Sequence, residues 1–519
     1  MGKTKQKSVD ISRATTPLAN HETGSQQAGT TAPATAEGGD IKHKLGTVRN
    51  NPMHLFQQEL STGQRVAGSG SSLSEADGDG EENGDGLELV EMGIDSELGR
   101  KTDYYEVDAK GNPIKLANNS SMLSIFLLVN TMIGSGILNQ PFVFKDAGIV
   151  GALLGFVVAT WSTWISLLIL TDVGIAVQLL EYSGLAEKAF KKLGLQITDF
   201  GIAIGSFGAL LGYILVIGEM MSGLLKSWGC TAQVCSLNGI TTLFVCVFVL
   251  PLCLMRHFGH LAYVAVFSIT TICCVLVLVT IGGPIRTRND TFSEPVNGFN
   301  LSGTLRSIGS IIFALSCTPA CLQTYVAAEK SARNMKTWTH VTMYATMIGA
   351  AMCAIMGLAG YMSFRGKVQG NILTNFTSHA FDFFKMMVVI HLVCYIPVDF
   401  IIMRYSIVKL ALNKKSETLP TWQHVTITVC LLAFTTVFIL SMLGAGLSAG
   451  GAFTLTLDIT GGVGGSITGF IMPAAIYLKL MPESSTYYSR AKLLFGLGWM
   501  FMVLVLTGIV MQLQEKKKI

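Results

Sequence analysis

Two stretches of this sequence place polar and helix-breaking residues where an apolar helix should run on. The first is MIGSGILNQPFVFKDAG, residues 132–148, in which Gly134 and Gly136 flank Ser135 and Pro141 follows. Glycine costs about 1 kcal/mol in a helix interior. The cluster therefore reads either as a break or as a close helix–helix contact through small residues. The second is SIIFALSCTPACLQTYVAAEK, residues 310–330, with Ser316, Cys317, Thr318 and Pro319 near its middle. Proline removes a donor and frees a carbonyl one turn back. A break exposes N–H groups and a positive half-helix dipole, suited to a carboxylate, and also carbonyls, suited to an ammonium or a cation. Bare peptide groups persist at membrane depth only where they line a cavity. An amino acid carries both charges. The candidate substrate-binding residues are therefore Asn130, Ile133, Gly134, Ser135, Gly136, Ser316, Cys317 and Thr318. The N–H groups of Ser135 and Gly136 would take the carboxylate, and carbonyls near Ser316 and Cys317 the ammonium.

Ionisable residues inside apolar runs are costly and mark ion pathways. Glu219, His391 and Asp399 qualify by position and, with Asn130, are the candidates for ion coupling. Each has a plainer reading: a helix-end carboxylate in headgroup water for Glu219, a neutral core histidine for His391, a structural carboxylate beside Pro397 for Asp399. Asp172, Glu329 and Asp458 fall near the expected ends of runs, where the interface would solvate them. No residues have metal-site spacing, and no nucleophile elbow, zinc helix or phosphate loop is present, which argues against an enzyme.

The elements that must hold these residues are membrane helices. Half of the 519 residues are hydrophobic and 13% are charged, against about 25% in soluble domains. Apolar runs long enough to span a bilayer fall at roughly 121–145, 149–176, 198–227, 238–256, 261–283, 303–328, 339–364, 378–404, 422–443, 454–480 and 490–512. That predicts about eleven spans in residues 119–512, with a short tail at 513–519. Residues 1–118 are polar; the stretch GSGSSLSEADGDGEENGDG cannot offset its ordering entropy. A disordered cytosolic tail is expected there, either merely solvated or regulatory. No cleavable signal peptide begins the chain.

With the N-terminus inside, about fourteen Lys and Arg fall in inner loops and about five in outer ones, in line with the positive-inside rule. The acceptor triplets at Asn289, Asn300 and Asn375 then lie outside and are glycosylation candidates, although Asn118 and Asn119 begin two more on the inner side. Cys230 and Cys235 share a short outer loop, where a disulfide is possible. Adjacent Cys273 and Cys274 read as core. The C-terminal Lys-Lys-Lys-Ile is similar to a dilysine retrieval signal but is placed outside by the count. A net charge of +4 gives no case for nucleic acid.

Taken in order, several segments resemble the amino acid/auxin permease family, which includes sodium-coupled neutral amino acid transporters and vacuolar amino acid transporters. They are Asn130 followed by MIGSGIL and Pro141, then GYILVIGEMM at 212–221, PLCLMRHFGHLAYVAVFS at 251–268, FALSCTPACLQTYVAAEK ending near Glu329, GYMSFRGKVQGNILTNF at 360–376, and GGVGGSITGFIMPAAIYL at 461–478. The match covers about 120–510. The resemblance implies an all-α, LeuT-type fold: a five-plus-five inverted repeat with one extra helix. It also implies a substrate site between spans one, three, six and eight. Asn130 matches a first-span Asn that holds a cation and substrate in sodium-coupled members. Their eighth span carries Thr before Val-Pro, whereas here His391-Leu392-Val393-Cys394-Tyr395-Ile396-Pro397 offers none. That departure shifts weight from sodium toward protons or exchange.

The expectation is a multi-pass secondary transporter of neutral amino acids in a plasma or vacuolar/lysosomal membrane. Its partners are substrate and lipid, with no cofactor beyond a coupling proton or sodium ion, and its oligomeric state is open. The alternative is an amino acid sensor that signals through its N-terminal tail.

Overall fold

The structure is a computed structural model. It describes residues 119–255, 261–288, 295–414, 416 and 419–517, together with three short strands before them. Strands β1 (Leu89–Val90), β2 (Tyr105–Val107) and β3 (Pro113–Lys115) pair antiparallel in that order. The rest of the expected tail at 1–118 lies outside the described residues, as do Asn289 and Arg256.

From Ser121 onward the described residues form helices and the connections between them. Helix α1 (Ser121–Met132) is followed by a tight 3-10 turn (Ser135–Asn139) and α2 (Gln140–Val177). Then come α3 (Tyr182–Ser227), α4 (Leu237–Phe244), α5 (Leu261–Val277), α6 (Leu301–Ala314), α7 (Thr318–Ala327), α8 (Met335–Phe364) and α9 (Asp382–Leu412). Last are α10 (Thr421–Gly444), α11 (Ala449–Ile459), α12 (Met472–Leu480) and α13 (Tyr488–Lys517). α4 and α5 continue through π turns to Cys253 and Arg286, and π turns join α11 to α12. Among the described residues nine helices are long and apolar enough to cross a membrane. The segment Leu237–Cys253 adds a span, and the 43-residue helix Ser135–Val177 is two spans joined at Gly148. With α1 leading into the first of those, the total is the expected eleven. α13 carries the last span on to Lys517, through most of the residues expected to form a separate tail.

Local sequence sets the ends. Ser120, Ser236, Asn334 and Ser448 each accept from a backbone N–H in the first turn of the following helix, which satisfies donors the helix itself cannot. Gly148 turns the chain between the first two spans at φ 76°, and a Cβ there would strike the backbone of Phe299. Arg404 Nη1 on α9 donates to the Cys253 carbonyl at 2.8 Å, and His424 Nε2 on α10 lies 3.0 Å from the Leu254 carbonyl. These side chains from later spans cap the end of the fourth.

Spans one and six run in opposite directions side by side. On one face, the near face, Asn119 N–H donates to Ala327 O at 2.9 Å and Glu329 N–H to Asn119 O at 2.8 Å, tying the start of α1 to the end of α7. On the far face, Asn300 N–H donates to Ala147 O at 2.9 Å and Val150 N–H to Gly298 O at 2.9 Å, tying the end of span one to the start of α6. α2 packs along α8, and α3 along α9. This is the arrangement of two inverted five-helix repeats plus one extra helix.

Two expectations are corrected. Asp458 is not at an interface: it is 6% exposed, because span ten begins at Ala449 rather than 454 and so carries the residue about one and a half turns deeper. Cys273 is exposed on the outer surface of α5 and Cys274 is partly so; a small apolar residue suits lipid as well as core.

Candidate functional site

Both expected breaks are present, and they face each other. α1 stops at Met132; Ile133 (φ −89°, ψ 80°) and Gly134 (φ −104°, ψ −149°) leave helical geometry, and the helix restarts at Ser135. The first N–H groups of a restarted helix have no acceptor within it. α6 stops at Ala314, Leu315 (φ −105°, ψ 7°) and Cys317 (φ −142°, ψ 4°) are non-helical, and α7 opens with Pro319 near its start. Pro319 has no N–H to offer the Leu315 carbonyl. The breaks touch: a Cβ on Gly136 would lie 3.0 Å from Phe313 Cδ1 and 3.3 Å from Ala314 Cα.

A cavity runs from these breaks toward the near face. Span one gives it Thr131 and Gly134, span six gives Ser316, Cys317 and Gln323, α3 gives Ser206 and Tyr213, and α9 gives Tyr395 and Asp399. Thr460 and Thr468 of span ten complete it. Its lining holds one carboxylate, Asp399, and no Lys, Arg or His.

Tyr213 Oη donates to Asp399 Oδ2 at 2.8 Å. The Tyr213 and Tyr395 rings meet edge to face with centroids 6.2 Å apart. Asn130 Nδ2 donates to Tyr395 Oη at 3.4 Å. Asn130 Oδ1 and Ser135 Oγ are buried without a hydrogen-bond partner. Leaving such a group unsatisfied costs about 1–3 kcal/mol, and these two lie on either side of the break in span one.

Of the expected substrate residues, Gly134, Ser316 and Cys317 line the cavity. Asn130, Ile133, Ser135, Gly136 and Thr318 form the buried layer behind it. Of the ion-coupling candidates, Asp399 reaches the cavity. Glu219 lies toward the far face, where its Oε2 accepts from Asn371 Nδ2 at 3.2 Å. His391 is 1% exposed, packs against the Tyr395 ring at 5.6 Å, and has no hydrogen-bond partner on either ring nitrogen. Tyr213 and Tyr395 were not singled out from the sequence, since a tyrosine in an apolar run has no distinguishing spacing.

Outside the cavity, Cys230 and Cys235 are joined in a disulfide, Cα atoms 6.3 Å apart. Asn300 Nδ2 donates to Asp146 O at 3.0 Å and Asn375 Nδ2 to Lys367 O at 2.8 Å, so both acceptor amides are engaged. Among the described residues no three His, Cys, Asp or Glu side chains are grouped to hold a metal.

Residues 117–513 match the family model described as transmembrane amino acid transporter protein. The chain belongs to this family, the amino acid/auxin permeases. Family relatives include vacuolar amino acid transporter 2 of Saccharomyces cerevisiae, 24% identical over 410 residues, or 75% of this chain and 82% of that one. Another is sodium-coupled neutral amino acid symporter 2 of Danio rerio, 25% identical over 429 residues, or 75% and 80% of the two chains. Among solved structures the chain is similar to a manganese transporter of Eremococcus coleocola, at a TM-score of 0.48 and 11% identity, covering 75% of this chain and 85% of that one.

Proposed function

We propose that this protein is a secondary active transporter of neutral amino acids, working by alternating access and driven by protons through Asp399. The observation that carries the reading is a cavity open toward one face that ends at two opposed helix breaks, with contacts between spans one, six and ten closing the other face. An amino acid lying there would set its carboxylate against the N–H groups of the restarted span one and its ammonium against carbonyls at the end of α6. The hydrophobic and glycine-rich remainder of the lining suits an uncharged side chain.

Protons are favoured over sodium by the way the hydroxyl is turned. A sodium shell needs oxygen lone pairs directed inward, whereas Tyr213 directs a hydrogen at Asp399. The near face is the cytosolic one in this reading. The Cys230–Cys235 loop joins α3 to α4 on the far face, and a disulfide persists in an extracytoplasmic compartment. That supports a cytosolic start of α1, in either a plasma or a vacuolar/lysosomal membrane.

The test is uptake of a panel of amino acids into proteoliposomes, with pH and sodium gradients imposed separately. Accumulation driven by the pH gradient alone supports the reading. Accumulation that requires sodium overturns the proton assignment. Saturable binding with no flux under either gradient overturns transport and leaves the sensor.

A further inference from the structure

Behind the breaks, on the far side from the cavity, four polar side chains form a chain of hydrogen bonds that runs in one direction. Thr454 Oγ1 donates to Asn139 Oδ1 at 2.8 Å, Asn139 Nδ2 to Ser310 Oγ at 3.0 Å, and Ser310 Oγ to Asp458 Oδ1 at 2.6 Å. The Ser310 backbone N–H adds a bond to the same oxygen at 3.0 Å. Asn139 and Ser310 are fully buried and Asp458 is 6% exposed. The residues belong to three elements: the second half of span one, α6, and α11 at the start of span ten. α6 and span ten are in backbone contact, since a Cβ on Gly309 or Gly461 would strike the facing main chain.

Every donor in this chain points toward Asp458, so the hydrogen bonds of the closed arrangement favour its ionised form. The far face opens only if span one and α6 part from span ten, and that parting removes the donors. A carboxylate stripped of its donors inside a membrane protein takes a proton instead. We propose that Asp458 is a second proton-accepting residue of the transport cycle and that its protonation from far-side water unlatches the far gate. The proton binds as Ser310 turns away and returns to far-side water as the gate closes and Ser310 donates again. Other charges acting on Asp458 are the Asp146–Arg306 pair, 2.9 Å apart at the far end of the same interface, whose influences on it oppose each other. The facing stretches 206–217 of α3 and 493–511 of α13 hold no acidic or basic residue.

This rests on the alternating-access reading but not on Asp399. The test is therefore amino acid exchange across proteoliposomes at equal substrate on both sides, a process that needs no net ion movement, measured while far-side pH alone is varied. Wild type is expected to exchange faster as far-side pH falls. Asp458→Asn, which mimics the protonated form, keeps exchange but loses that pH dependence. Ser310→Ala removes a donor to the charged form and moves the midpoint upward by roughly one pH unit. Thr454→Val, at the outer end of the chain, gives a smaller shift of the same sign and serves if Asp458→Asn does not fold. A wild-type pH profile in Asp458→Asn, or an unmoved midpoint in Ser310→Ala, overturns the proposal.

Discussion

The Tyr213 hydroxyl donates to Asp399 at 2.8 Å while standing 3.2 Å from where a Cβ on Gly134 would be. One hydroxyl thus connects the cavity's carboxylate to the broken backbone of span one. Under the proposed mechanism, a ligand that moves that backbone would also move a donor of Asp399 and so link substrate occupancy to proton affinity.

If Asp399 carries the driving proton, Asp399→Asn should lose uphill accumulation while retaining substrate exchange. Tyr213→Phe deletes a hydrogen bond to a charged group, worth about 1.5–3 kcal/mol. Without that donor the carboxylate holds its proton at higher pH, so the pH dependence of uptake should move upward by roughly one to two units. Uptake measured across a pH series in proteoliposomes checks both.

The contact between the two breaks leaves no room at Gly136. A methyl group there meets Phe313 and the Ala314 backbone at 3.0 and 3.3 Å, and backbone cannot swing aside as a side-chain tip can. Gly136→Ala should cut uptake about tenfold or more, the equivalent of at least ~1.4 kcal/mol, with normal membrane expression. Gly223→Ala on α3 meets nothing within 4 Å and should leave uptake unchanged.

His391 makes no hydrogen bond through either ring nitrogen and does not line the cavity. Replacing an unsatisfied buried polar group by an apolar one of similar shape is close to neutral or stabilising. His391→Phe should keep both the rate and the pH dependence of uptake and should not lower the melting temperature in detergent. A flattened pH profile would restore the histidine as a proton relay.

Asp199 on α3 and Lys409 on α9 form an ion pair at 3.2 Å, 1% and 7% exposed, with Ser183 Oγ donating to Asp199 at 2.7 Å. Removing one partner leaves a buried charge uncompensated, at a cost of about 3–5 kcal/mol. Asp199→Asn and Lys409→Met should each lower the melting temperature clearly, and the double substitution should recover most of the loss. Thermal unfolding of the four proteins measures this coupling.

The breaks were legible because glycine and proline act on the backbone itself. Gly134, Gly136 and Pro319 weaken a helix through the backbone itself, so the sequence flags candidate breaks without the fold, although Pro397 sits within the unbroken α9. The eleven spans were legible for a similar reason, since hydropathy over about twenty residues is a local property. What surrounds the breaks was not local. Tyr395 and Asp399 reach the cavity because α9 lies along α3, and nothing in the spacing of either helix announces that. Asp458 was misplaced because span ten starts with AGGAFTLT, a small and polar stretch that reads as loop. Its glycines instead let α11 approach the chain near Gly370, where a Cβ on that residue would strike the Gly450 carbonyl. Glu219 lies within α3 on the far side of the breaks from the cavity, and depth along a helix is poorly fixed by sequence when boundaries are good only to a few residues.

The caps that Arg404 and His424 place on the Cys253 and Leu254 carbonyls have a consequence for biogenesis. Carbonyls at a helix end need donors from elsewhere, and in a bilayer water is scarce. The fourth span is synthesised about 150 residues ahead of these caps, so its last carbonyls meet their side-chain partners only once the eighth and ninth spans have been made. The end of a span from the first repeat is thus closed by side chains that belong to the second.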